Sequence, residues 1–285
     1  MQRHAQFDLW WHDDQELAAA LGSPIVRRLL LQQWPLSRVE IVECADGRKI
    51  VYKTQAAPTV EPQFYHHARS PLVVEAQSLD VPSGPPALLL RYVEAARLGD
   101  SPISPEAALA HADHVVDAIG QIDGDLPAVL DLRPAAAWNH CAASILADLQ
   151  TLADGAQHPA IGPALVARVE HCGRGALIDQ ALTTPMGYVH GDLLASNVLV
   201  QDGEYRVLDW QRPFWGSVEL DRAALLGSLG VDPRQHVAPG VLQLQRLLAI
   251  GWFAAQAVRW FPPGADWFAA ELARVAAQLE DDRDG

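Results

Sequence analysis

The stretch YVHGDLLASNVLVQDGEYRVLD, residues 188 to 209, constrains this chain more than any other. Val198–Val200 and Tyr205–Leu208 are β-rich runs on either side of Gln201-Asp202-Gly203, where Asp-Gly supplies the positive φ of a tight turn. A hairpin that short returns its end to its start, so Asn197 and Asp209 are expected to converge. An amide oxygen and a carboxylate at one point are hard ligands, of the kind Mg²⁺ takes together with phosphate oxygens. Asp192, five residues before Asn197, lies in the loop that feeds the hairpin. There it can accept a proton from a nucleophile or orient it. Phosphoryl transfer needs such a set, because its catalysis is mostly positioning and charge neutralisation. Read alone, the same loop is also a turn with a buried histidine and a helix-capping aspartate.

The rest of the chain divides by texture. Arg38–Cys44 and Lys49–Thr54 are β-rich runs joined by Ala45-Asp46-Gly47-Arg48, a strong hairpin signal. Glu61–Ala68 reads as a short helix with Pro62 in its first turn, and Leu72–Leu79 and Ala87–Val93 as two further strands. From Pro105 the apolar residues recur at helical spacing, over Pro105–Ile122, Ala136–Leu152 and Pro163–Leu182. After the β-rich island Gly187–Val207, helices resume at Glu219–Leu229, about Val241–Trp260 and Asp266–Leu279. The expected fold class is α+β. An N-terminal antiparallel β-sheet lobe with one helix occupies residues 1–94, and a mainly helical C-terminal lobe, 95–285, carries the loop and hairpin. The connector is near 91–96, and a cleft between lobes is a usual place for a ligand.

Composition excludes several classes. With 285 residues and 49% hydrophobic content the chain can bury a sizeable core. The net charge of −14 is uneven: residues 95–285 hold 24 acidic against 12 basic side chains, a net of −12, while residues 1–94 are near balance. That opposes nucleic acid or an anionic membrane as partner. It suits a cationic small molecule, although a solvated acidic surface is the commoner cause, and Glu280, Asp281, Asp282 and Asp284 read as a frayed tail. The apolar run Leu247–Val258 has 12 residues, short of the roughly 20 a bilayer needs, and reads as a core helix. The polar N-terminus MQRHAQFDLWWHDD has no apolar export signal, so a cytoplasmic protein is expected. Cys44, Cys141 and Cys172 lack both even number and CxxC spacing, which argues for free thiols.

At HGDLLASN, residues 190–197, and LDW, residues 208–210, the chain resembles the aminoglycoside phosphotransferase and choline kinase-like family, through its HGDxxxxN and (I/L)DW motifs. That family's fold is similar to that of protein kinases, whose catalytic loop spaces its Asp and Asn alike. The resemblance implies a bilobal protein kinase-like fold and an ATP-dependent small-molecule kinase, with GTP as an alternative donor. It implies Asp192 as catalytic base, His190 as a brace for the loop, Asn197 and Asp209 as Mg²⁺ ligands, and Asp221 as a structural tie to the loop. It further implies that Lys53 holds the α- and β-phosphates with Glu61 as its partner, that Val51 touches the adenine, and that the backbone of Arg91, Tyr92 and Val93 binds the adenine edge. Lys49 and Lys53 are the only lysines beside 19 arginines, and both fall on the expected strand Lys49–Thr54.

One departure stands out. Where the family has a Gly- or Ser-rich loop over the phosphates, this chain reads Leu31-Gln32-Gln33-Trp34-Pro35-Leu36-Ser37, without glycine. Ser37 remains as a hydroxyl or N–H donor. The departure motivates a second expectation, a kinase-like protein that binds nucleotide or small molecules with weak or no catalysis. A metal-dependent hydrolase using the same carboxylates would have no need of Lys53. The acceptor is expected to be a hydroxylated small molecule, cationic if the charge of residues 95–285 is a guide. Its identity and the oligomeric state are not written in these motifs.

Overall fold

The structure is a computed structural model that describes residues 1–4, 8–34, 36–134, 136–155 and 161–279. Pro35 and the acidic run from Glu280 onward, expected as a tail, lie outside the described residues. In chain order the elements are β1 Gln2–Arg3, β2 Trp10–Trp11, α1 Asp14–Leu21, β3 Ile25–Trp34, β4 Ser37–Cys44, β5 Lys49–Gln55, α2 Glu61–His67, β6 Ala76–Leu79, β7 Ala87–Arg91 and β8 Ala96–Arg97. There follow α3 Pro105–Ile119, α4 Ala137–Asp154, α5 Pro163–Gly173, α6 Ala176–Leu182, β9 Met186–Val189, β10 Val198–Gln201, β11 Glu204–Val207, β12 Phe214–Ser217, α7 Glu219–Ser228, α8 Pro239–Ala255 and α9 Ala265–Ala276.

Two compact units divide the chain, and neither is continuous in sequence. The first comprises Met1–Pro102, Asp117–Val129 and Leu194–Pro213, and the second Ile103–Val116, Leu130–Leu193 and Phe214–Gly285. The hairpin β10–β11 thus groups with the N-terminal sheet, whereas a single cut near residue 94 assigns it to the helical half.

The first unit is built on a five-stranded antiparallel sheet of order β3-β4-β5-β7-β6. Residues directly opposite in neighbouring strands share a face. One face carries the row Leu29–Ile41–Val51–Leu90 and, beside it, Gln32–Val39–Lys53–Leu88. The other carries Val42, Tyr52 and Leu89, which bury against Leu17 of α1 and Ala87. A smaller sheet of order β11-β10-β8 closes the unit, and Asp202 (φ 52°) with Gly203 (φ 80°) makes the two-residue turn of its hairpin.

Two expectations change here. Leu72–Glu75 is a turn instead of the start of a strand: Val73 donates its N–H to Ser70, and Leu72 and Val74 are apolar because they are buried, not because they alternate in a ladder. The segment expected to lie over the phosphates begins as the end of strand β3, where Trp34 is opposite Ser37 of β4. β3 was invisible to periodicity because register shifts after Ile25 and Leu30 break its period of two. α1 also went unread, although Asp13 and Glu16 form a reciprocal capping box at its start and Gly22 (φ 65°) ends it.

The second unit is helical, with β9 and β12 as its one antiparallel pair among the described residues. Its core joins Ile145 and Leu149 of α4, Ile178 of α6, Leu244, Leu247 and Ile250 of α8, and Phe268 and Leu272 of α9. α4 and α8 approach closely at Gly251, where a Cβ would fall 2.5 Å from Ile145 Cγ1. The expected helix Pro163–Leu182 is two, α5 and α6, because Gly175 is extended (φ −80°, ψ 165°) and starts the second afresh. α8 continues through a π-helical turn, Gln256–Trp260, into a 22-residue apolar helix, Pro239–Trp260. By length and composition it could cross a membrane, but 56% of its apolar 18-residue window is buried, as suits a core helix.

Candidate active site

In the first unit, Lys53 is the centre of a buried ionic cluster. β5 directs it to the face of Val39 and Leu88, and α2 opens with Glu61, whose Oε2 lies 2.6 Å from Lys53 Nζ. Asp209, one residue beyond the end of the β10–β11 hairpin pair through Leu208, makes the second contact with the same ammonium. Lys53 and Glu61 are buried, while the Asp209 side chain is 35% exposed. Burial works against the Lys53 ammonium, but Glu61 and then Asp209 outweigh it and hold the lysine above its ordinary range. Burial lifts the Glu61 carboxyl above its usual range, with Lys53 pulling it partly back and Asp209 adding to the rise.

Asp209 sits at φ 69°, a left-handed conformation that side chains other than glycine seldom adopt. Its neighbours hold it there. Leu208 donates its N–H to the Asn197 carbonyl at 2.8 Å, closing the hairpin as its length demands. Trp210 is fully buried, stacked on Phe64 of α2 at 4.2 Å between centroids and 15° between planes, and donates Nε1–H to Val207 O at 2.8 Å. The N–H of Val60, just before α2, bonds Gln211 O at 3.1 Å. The helix that carries Glu61 is therefore fastened to the segment that carries Asp209. Sequence reasoning missed Phe64; its one signal was an aromatic three residues after Glu61 on the same helix face.

The remaining nucleotide-site expectations separate. Val51 belongs to the half-exposed apolar row with Ile41 and Leu29, the last 41% exposed, beside Lys53. Tyr92 lies under Lys49, whose Nζ is 5.6 Å from the ring centroid. Arg91 is opposite Ile50, so its side chain projects from the face away from Lys53. With Val93 it lines a cavity of about 350 Å³ bounded also by Glu75, Leu199 and Arg206.

In the second unit, the loop after β9 is organised by Asp221 of α7. His190 and Gly191 donate their backbone N–H groups to its two carboxylate oxygens at 2.6 and 3.1 Å, and Gly191 turns at φ 83°. Burial raises the Asp221 carboxyl, and His190 and the two N–H bonds partly offset the rise. His190 is itself fully buried, and its Nδ1 accepts the N–H of Asp192 at 3.2 Å. Asp192 is half-buried at the end of this braced turn.

A family model described as "Phosphotransferase enzyme family" matches residues 61–267. No curated protein matches the chain. Among solved structures, aminoglycoside 2′-phosphotransferase IIIa in its GDP complex superposes with a TM-score of 0.61 at 11% identity, covering 92% of this chain and 95% of that one. A choline/ethanolamine kinase family protein from Mesorhizobium loti gives 0.57 at 16% identity, over 94% and 92% of the two chains. Spectinomycin phosphotransferase in complex with ADP and spectinomycin gives 0.55 at 11% identity, over 94% and 99%. Likeness at such identities is one of fold, the protein kinase-like fold.

Proposed function

We infer that this chain, which belongs to the phosphotransferase enzyme family, moves the γ-phosphoryl group of a nucleoside triphosphate onto a hydroxyl of a small molecule. The observation that carries this reading is the Lys53 cluster, in which one ammonium is held between Glu61 and Asp209 beside an apolar strip of the sheet. A cation kept protonated in a buried site is suited to the phosphates, and Leu29, Ile41 and Val51 offer an apolar surface to the base. ATP is the donor we propose, with GTP as the alternative; the fold relatives named above hold ADP and GDP.

The Asn197 amide and the partly exposed Asp209 carboxylate are hard oxygen donors, and this donor set fits Mg²⁺. The ion, when bound, would neutralise phosphate charge. In this reading Asp192 accepts the proton of the acceptor hydroxyl, and the buried His190 and Asp221 keep its loop in one conformation. Residues 1–94 supply most of the nucleotide contacts, the acceptor is recognised by residues from 95 onward, and the donor places the reaction in the cytoplasm. The net charge of −12 over residues 95–285 favours a cationic acceptor, such as an aminoglycoside or an amino alcohol.

The test is transfer of labelled γ-phosphate to a panel of hydroxylated amines, sugars and antibiotics. Wild type should label one class of acceptor, and Asp192→Asn should lose about a hundredfold or more in kcat. Equal turnover of the two proteins would remove Asp192 from its role. Preference for a neutral sugar over every amine would overturn the cationic acceptor.

A further inference from the structure

Among the described residues, eight buried side-chain nitrogen and oxygen atoms have no well-directed hydrogen bond, and five of them belong to Thr54, Gln55, Glu61 and Tyr65. All four residues lie on β5 and α2, the two elements that flank the Lys53 ammonium. Tyr65 is the one of them that shares a helix with Glu61. It is 8% exposed, yet its hydroxyl meets no partner, although a buried tyrosine normally finds one. It follows Glu61 by one helical turn and so shares its helix face.

We propose that Tyr65 is a positioning residue whose hydroxyl donates a hydrogen bond to the Glu61 carboxylate when nucleotide phosphates draw the Lys53 ammonium toward themselves. The proposal rests on the phosphotransferase reading. In the structure Lys53 is shared between two carboxylates, and Glu61, wholly buried, has its counter-charge at 2.6 Å. Phosphate oxygens compete for that ammonium. As it shifts, Glu61 loses part of the hold of its counter-charge, and a neutral donor one turn along the helix can replace it without adding charge. Burial first, and then the negative charges of Glu61 and Asp209, hold the Tyr65 hydroxyl well above its usual range. It therefore remains a protonated donor at every working pH, within the field of both carboxylates.

The expected signature is opposite effects on stability and on binding. Removing an unpartnered buried hydroxyl while keeping the ring relieves an unmet desolvation cost, so nucleotide-free Tyr65→Phe should melt at or above the wild-type temperature. The same variant should raise the KM for Mg-ATP about tenfold, as for a lost hydrogen bond to a charged group, with kcat and acceptor KM within twofold. Calorimetric titration of Mg-ATP into both proteins gives the affinity directly. In a double-mutant cycle with Glu61→Gln, the two losses of nucleotide affinity should be less than additive.

An affinity for Mg-ATP within twofold of wild type, or additive effects in the cycle, would overturn the role of Tyr65. Wild type that binds no Mg-ATP at millimolar concentration would overturn the phosphotransferase reading and this inference with it. The two failures are separated by the wild-type titration.

Discussion

Two ionic clusters sit on opposite faces of the same five-stranded sheet, and they are built in opposite senses. On the face covered by α1, the Glu40 carboxylate is buried between two guanidiniums. Arg28 Nε donates to one oxygen at 2.7 Å and Arg38 Nε to the other at 2.8 Å, each with a second bond from the same fork. Arg28 lies 5.5 Å from the Tyr52 ring and bonds His12 O at 2.9 Å, and Arg38 lies 4.8 Å from the Trp11 ring. On the other face a single lysine stands between two carboxylates, one of them on strained backbone and partly exposed. With Asp14 3.2 Å from Arg28 the first cluster is neutral, and its Glu40 carboxylate is fully engaged by planar forks. The second is −1, with a point-charge ammonium that can be drawn elsewhere. A closed set of bonds staples the N-terminal segment to the sheet. An open one with a net negative charge is suited to receive a cation and phosphates.

Breaking the closed cluster should have the largest effect. Glu40→Ala leaves two half-buried guanidiniums, only one of them with another carboxylate, Asp14, and should lower stability by about 3 kcal/mol in urea unfolding, while the folded fraction retains its affinity for nucleotide. Breaking the open cluster with Lys53→Met should instead act on chemistry, lowering phosphoryl transfer by about 10²–10³. Its effect on stability should be smaller, because Glu61 can neutralise itself by taking up a proton. An urea midpoint for Lys53→Met as low as that of Glu40→Ala would erase the distinction between the two clusters.

The pH dependence sharpens the same point. A carboxyl whose pKa is raised by folding binds more protons folded than unfolded, so its contribution is complete below the ordinary glutamate pKa and is lost as pH rises through the folded value. Loss of the Lys53 charge removes what restrains Glu61, so Lys53→Met should lose stability between about pH 4 and neutrality more steeply than wild type. For wild type, the raised Lys53 pKa keeps its contribution intact up to the ordinary lysine range, with loss only above it. Thermal melts of both proteins across that range check the sign.

The smallest effects separate the two faces of the sheet. Val51→Ala removes apolar surface beside Lys53 and should weaken Mg-ATP binding severalfold, in line with about 1 kcal/mol for a shortened side chain. Arg91→Ala, on the far face, should leave that affinity within twofold. A larger effect of Arg91 than of Val51 in the same titration would reverse the assignment of the faces.

Much of the geometry around the candidate site was legible in the sequence because it is local. Asp-Gly at 202–203 dictates a two-residue turn, and a turn of that length returns Leu208 to Asn197 whatever surrounds it. The alternation of Lys49–Gln55 placed Val51 and Lys53 on one face, and the spacing from Asp192 to Asn197 carried the resemblance to phosphotransferases. β3 was not legible, since an edge strand with two register shifts and residues exposed on both faces has no period to read. Nor was the break at Gly175, where a single extended residue divides an otherwise continuous apolar pattern.

By itself, then, the sequence determined which chemical groups this protein has and on which local turn, strand or helix each is carried, because hairpin closure and side-chain alternation depend on neighbours in the chain. Only the tertiary structure decided how they meet. That Lys53 is shared between Glu61 and Asp209, that Trp210 rests on Phe64, and that the Tyr65 hydroxyl is buried with no hydrogen bond among the described residues all depend on where α2 docks against the sheet and hairpin. Docking is set by the packing of side chains far apart in sequence, and no local pattern encodes it.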